Sequence, residues 1–88
     1  MKLKDGFLLR QVGDHHVVVP VGERTVDFRS ILTLNESGAF LWARLTEGAT
    51  PEELTAALLS EYAVEESVAA ADVAAFISAL REKGMLDE

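Results

Sequence analysis

Two adjacent histidines, His15 and His16, are the first residues whose type could do chemistry, as metal ligands or as a general acid and base. They follow Gly13-Asp14, where one β-prone run ends and another begins, and side chains of consecutive strand residues point to opposite faces. Such a pair cannot share one ion, so it reads as a solvated turn. The chain has no cysteine, hence no thiolate nucleophile or thiolate metal ligand. Ser30, Ser37, Ser60, Ser67 and Ser78 lack a nucleophile-elbow setting, and no glycine-rich phosphate loop occurs. Glu65 and Glu66 complement the dipole at the start of a helix, and Asp72, in mid-helix, reads as a solvent-facing carboxylate. No constellation for catalysis is present, and no metal or cofactor site is expected.

What remains is a strand. Ile31, Leu32, Thr33 and Leu34 form a short apolar run that leads straight into Asn35. As an interior strand it would be ordinary. As a sheet edge, its unpaired amides and carbonyls could take up an extended peptide by strand addition. The residues alone leave the two readings level.

The elements that would position this strand are legible from spacing. Residues 7–12 and 15–21 are β-prone runs joined by a two-residue turn, a hairpin signal, with Val17, Val19 and Val21 on one face and Pro20 marking an edge or bulge. A second turn is expected at 21–24 and a short extended stretch at 25–28. At Asn35, an N-cap residue followed by Glu36, helical spacing takes over. Gly38, Leu41, Trp42 and Leu45 make one stripe, and Gly38 inside a helix implies close approach by a neighbour. Phe40 lies beside that stripe, either under the hairpin or lining a pocket. Thr50-Pro51-Glu52-Glu53 is a capping box that starts a helix over 51–62, and a third helix spans 65–83 and stops at Gly84. Ala69, Val73, Phe76, Ile77, Leu80 and Gly84 share a sector of it. Ala70, Ala74 and Arg81 flank that sector on one side, and Asp72, Ala75, Ala79 and Lys83 on the other. Either flank could face the sheet. The expectation is an α+β fold, a small antiparallel sheet over 7–34 followed by helices over 36–46, 51–62 and 65–83, in one domain covering 1–88.

Composition bounds the function. With 88 residues, 49% of them apolar, one core is affordable and two domains around a cleft are not. Nothing approaches the roughly 20 apolar residues of a membrane span or the apolar run of a signal peptide, and the lack of cysteine fits a reducing compartment, so a cytoplasmic protein without membrane contact is expected. Charge is divided unevenly. Residues 1–46 hold six basic and five acidic side chains, whereas 47–88 hold two basic and ten acidic. An acidic helical half is a poor reader of phosphate, so nucleic acid is not an expected partner.

At Leu34-Asn35-Glu36-Ser37-Gly38-Ala39-Phe40-Leu41-Trp42, at the Thr50-Pro51-Glu52-Glu53-Leu54 helix start, and from Asp72-Val73 through Leu80 to Gly84-Met85-Leu86, the chain resembles the PqqD-like family. These are leader-peptide recognition domains, or RiPP recognition elements, of pathways that modify ribosomally made peptides. The resemblance covers nearly the whole chain. It implies a winged helix-turn-helix-like fold with a three-stranded N-terminal sheet and three helices. It also implies non-catalytic binding of a precursor's leader peptide, which adds as a strand next to the one before the first helix. The groove is closed by the third helix, and the leader is presented to a modifying enzyme, often a radical SAM enzyme. By position the pairing strand is Ile31, Leu32, Thr33 and Leu34, with Val73, Ile77 and Arg81 as the wall. Gly22-Glu23 and residues 25–30 run longer than in the shortest pyrroloquinoline-quinone pathway members, which favours a different peptide product. Two other functions fit the same architecture: a winged helix-turn-helix DNA-binding regulator, and a scaffold or oligomerisation module docking through Phe40 and the alanine faces.

Overall fold

The computed structural model describes residues 1–21 and 31–87. In order these residues form β1 (Lys2–Leu3), β2 (Phe7–Val12), β3 (His15–Pro20), β4 (Leu32–Leu34), α1 (Glu36–Leu45), α2 (Pro51–Glu61), α3 (Glu66–Glu82) and β5 (Leu86–Asp87). The hairpin expected around Gly13-Asp14 is present, with Val12 opposite His15 and Phe7 opposite Pro20, and β3 then pairs antiparallel with β4. The expected turn at 21–24 and the extended stretch at 25–28 fall, apart from Val21, outside the described residues.

The sequence patterns gave no hint of the second small sheet. β1 pairs with β5, Lys2 opposite Asp87 and Leu3 opposite Leu86, and the Lys4 amide donates to the Met85 carbonyl at 2.9 Å. Met1 and Ala49 exchange backbone bonds at the α1–α2 connection. Two-residue strands carry no periodicity, and their pairing depends on the two ends of the chain meeting.

Helix ends follow the side chains that satisfy free amides and carbonyls. The Asn35 side chain accepts from the Gly38 amide at 2.8 Å, and Ser37 Oγ donates to the same oxygen at 3.1 Å. At α2 the capping box is complete: Glu53 N–H donates to Thr50 Oγ1 at 3.1 Å, and Thr50 N–H donates to Glu53 Oε1 at 2.9 Å. Thr50→Ala removes that cap and is expected to cost about 0.5–2 kcal/mol. A thermal melt of the variant should therefore fall by several degrees without a change in helix content below the transition. At the other end of α3, Gly84 adopts φ +69°, which a residue with a Cβ reaches only with strain. Its amide bonds to the Arg81 carbonyl and that of Met85 to the Leu80 carbonyl, a Schellman motif that buries Met85.

The helices enclose the core with one face of the sheet. Val18 and Leu34 from the strands meet Leu41, Trp42 and Leu45 of α1, Leu54 and Leu58 of α2, and Ala69, Val73, Phe76, Ile77 and Leu80 of α3. Every member of the expected α1 stripe is buried, and so is every member of the α3 sector except Gly84, which lies past the helix end and is exposed. Among the described residues no helix is long and apolar enough to cross a membrane.

Candidate functional site

Among the described residues the strand order is β2-β3-β4, and β4 is hydrogen-bonded on one side, through Leu32 opposite Val18, Thr33 opposite Val17 and Leu34 opposite His16. Within that set β4 is the end strand of its sheet. Along the other side of β4, alternate backbone amides and carbonyls point away from β3. The side chains keep a period of two. Leu34 is buried and Leu32 half-buried on the core face, while Thr33 is exposed. Ile31, half-buried, sits just ahead of the strand.

Beside that edge lies a groove of about 430 Å³. Thr33, Leu34 and Asn35 form one wall, Asp72, Ala75 and Phe76 of α3 form the other, and Ser37, Gly38 and Leu41 line it from α1. Two small residues hold it open. A Cβ on Gly38 would stand 3.1 Å from Asn35 Oδ1 and 3.2 Å from Leu34 Cβ, so any larger residue would push these neighbours back by a few tenths of an ångström. Ala75, exposed on α3, leaves the space above Phe76 unfilled.

The residues expected from the sequence divide between two places. Thr33 and Leu34 line the groove, with Leu32 next along the same strand. Val73 and Ile77, only 2% and 6% exposed, point into the core, and their accessible margins open on the other flank of α3. There, with Thr55, Leu59, Ala70 and Ala74, they line a separate groove of about 450 Å³ between α2 and α3. Arg81 is exposed in the last turn, outside the residues lining either groove. The flank turned toward β4 is thus that of Asp72 and Ala75. Helical geometry had grouped those two residues, but nothing in the sequence fixed the rotation of α3 about its axis.

A second cavity, of about 300 Å³, continues the first and shares Asn35, Ser37 and Asp72 with it. Its remaining lining is Glu36, Leu58, Tyr62 and Val64. Partial burial, then the carboxylates of Glu36 and Glu61, hold the Tyr62 hydroxyl above the ordinary phenol range. Phe40 meets the Tyr62 ring edge-on at 5.7 Å, with the Arg44 guanidinium 5.5 Å from the Phe40 ring centre, which settles Phe40 at the α1–α2 end. Among the described residues no group of histidines and carboxylates could hold a metal ion.

Comparison with known proteins agrees with this geometry. A family model described as coenzyme PQQ synthesis protein D (PqqD) matches residues 16–86. A solved structure of TbiB1 in complex with the TbiA(beta) leader peptide superposes with a TM-score of 0.75 at 29% identity, covering 99% of this chain and 95% of that one. A lasso peptide synthetase B1 complexed with the leader peptide superposes with a TM-score of 0.73 at 30% identity, covering 96% of this chain and 93% of that one. No curated protein matches.

Proposed function

Since the chain belongs to the PqqD family, we propose that it binds the leader peptide of a ribosomally made precursor as an added strand along β4, and that it does so without catalysis. The observation that carries this reading is a strand that ends its sheet among the described residues and faces a groove walled by a helix, in a chain that superposes over almost its full length on two leader-peptide complexes. Backbone groups of β4 supply affinity that does not depend on peptide sequence, and the groove selects side chains. The peptide-contacting set is Ile31, Leu32, Thr33 and Leu34 with Asp72, Ala75 and Phe76. Val73 and Ile77 act from the core by fixing how α3 lies, and Arg81 meets the peptide only if it runs past the last turn.

Residues 1–88 serve as one such domain. It presents the leader to a modifying enzyme, for which the family resemblance suggests a radical SAM enzyme and the lasso peptide synthetase neighbour suggests a wider class. The same neighbour supports a peptide product other than pyrroloquinoline quinone. A DNA-reading role is disfavoured by α3, which carries Glu66, Asp72 and Glu82 against Arg81 alone.

The test is a titration of the ¹⁵N-labelled chain with the leader of the precursor encoded beside it. Amides of residues 32–34 and 72–76 should shift saturably, while those of β1 and β5 should not. A spectrum unchanged at high micromolar peptide overturns the proposal.

A further inference from the structure

The strand-edge groove does not end at Asn35. It opens into the cavity between the start of α1 and the end of α2. The chemistry there differs from the rest of the groove. One side is apolar, from Leu58, Tyr62 and Val64, and the other carries the carboxylates of Glu36 and Asp72. No lysine or arginine is among the described residues lining it.

The charge of the surroundings has a definite sign. The last turn of α2 contains no basic residue, so its carbonyl end, at Tyr62, adds partial negative charge to Glu61 and to the cavity. The opposing positive end of α1 is already met, because Asn35 accepts from the Gly38 amide and Glu36 occupies the first turn. Partial burial and then Glu36 and Glu61 raise the pKa of the Tyr62 phenol, so both carboxylates act on a group that lines the cavity. A long side chain with an apolar stem and a cationic head matches both walls, and the face of Tyr62 adds attraction for the cation.

Resting on the strand-addition reading, we propose that this cavity takes a lysine or arginine side chain of the bound peptide, its methylenes on Leu58, Tyr62 and Val64 and its charged head between Glu36 and Asp72. It makes the end of the groove at α1 a cation-selecting subsite. The apolar contacts nearer Phe76 select a different position of the same peptide.

The test uses a random twelve-residue peptide library displayed on phage, selected on the wild-type chain and on Glu36→Lys/Asp72→Lys, with binders mapped by NMR. The expected result is a Lys or Arg fixed at one position of wild-type binders that shift residues 32–34. Glu36→Gln and Asp72→Asn should each weaken those binders about two- to fivefold, and the charge-reversed chain should select Asp or Glu at that position. Binders that shift residues 32–34 but show no fixed cation overturn the subsite and leave strand addition standing. A selection that yields no binder at β4 overturns strand addition and the subsite with it.

Discussion

Ala75→Trp is expected to weaken leader-peptide binding about tenfold or more while leaving the melting temperature within a few degrees of the parent. Ala75 is exposed on α3 and faces Thr33 and Leu34 across the groove, so an indole placed there occupies the path of an added strand. Its cost to folding is confined to helix propensity, roughly 0.7 kcal/mol or less at a solvent-facing site. Its cost to binding is larger. Each main-chain hydrogen bond lost from an added strand is worth about 0.5–1.5 kcal/mol net, so losing two or three weakens binding by about tenfold or more. The control is Ala74→Trp, one residue away but on the flank that faces α2, which should leave binding intact. Calorimetric titration of both variants decides the matter. Equal binding by Ala75→Trp and the parent would remove the β4–α3 groove as the site, whereas loss in both would point to α3 stability instead.

Leu80→Ala should show the largest effect on stability. Leu80 is fully buried in the core, and its carbonyl accepts the Met85 amide that closes α3. Truncating a buried leucine costs about 2–5 kcal/mol, including the cavity left behind. A chain of 88 residues has on the order of 4–13 kcal/mol in total. A fall in melting temperature on the order of 10–30 °C follows, to be read by circular dichroism. Because Leu80 does not line the groove, the variant should bind peptide like the parent at temperatures where it is still folded. A loss of less than about 1 kcal/mol would mean that the core collapses around the gap.

The helices were legible because their signals are local. The Asn35 cap, the Thr50 capping box and the Gly84 stop each depend on residues within one turn, and the buried stripes on α1 and α3 depend only on a repeat of 3.6 residues. The hairpin was legible for the same reason, with a two-residue turn between β-prone runs. Gly38 was legible as a close approach but not as to which atoms approach it. Leu34 and Asn35, its neighbours in sequence, turn out to fill that space. β1 and β5 were not legible, since they lie at opposite ends of the chain and each is too short to show a pattern.

The sequence by itself thus determined where the helices begin and end, which stripes are buried, that the strand before Asn35 is apolar and short, and that the helical half is acidic. Tertiary structure alone decided that this strand ends its sheet among the described residues and that α3 turns Asp72 and Ala75, rather than Ala70 and Ala74, toward it. An edge is defined by which partner is missing, and a helix rotation is defined by what it packs against. Neither quantity is a property of a segment. Both depend on how Leu34 of β4, Leu54 and Leu58 of α2 and the stripe of α3, residues far apart in the chain, pack into one core.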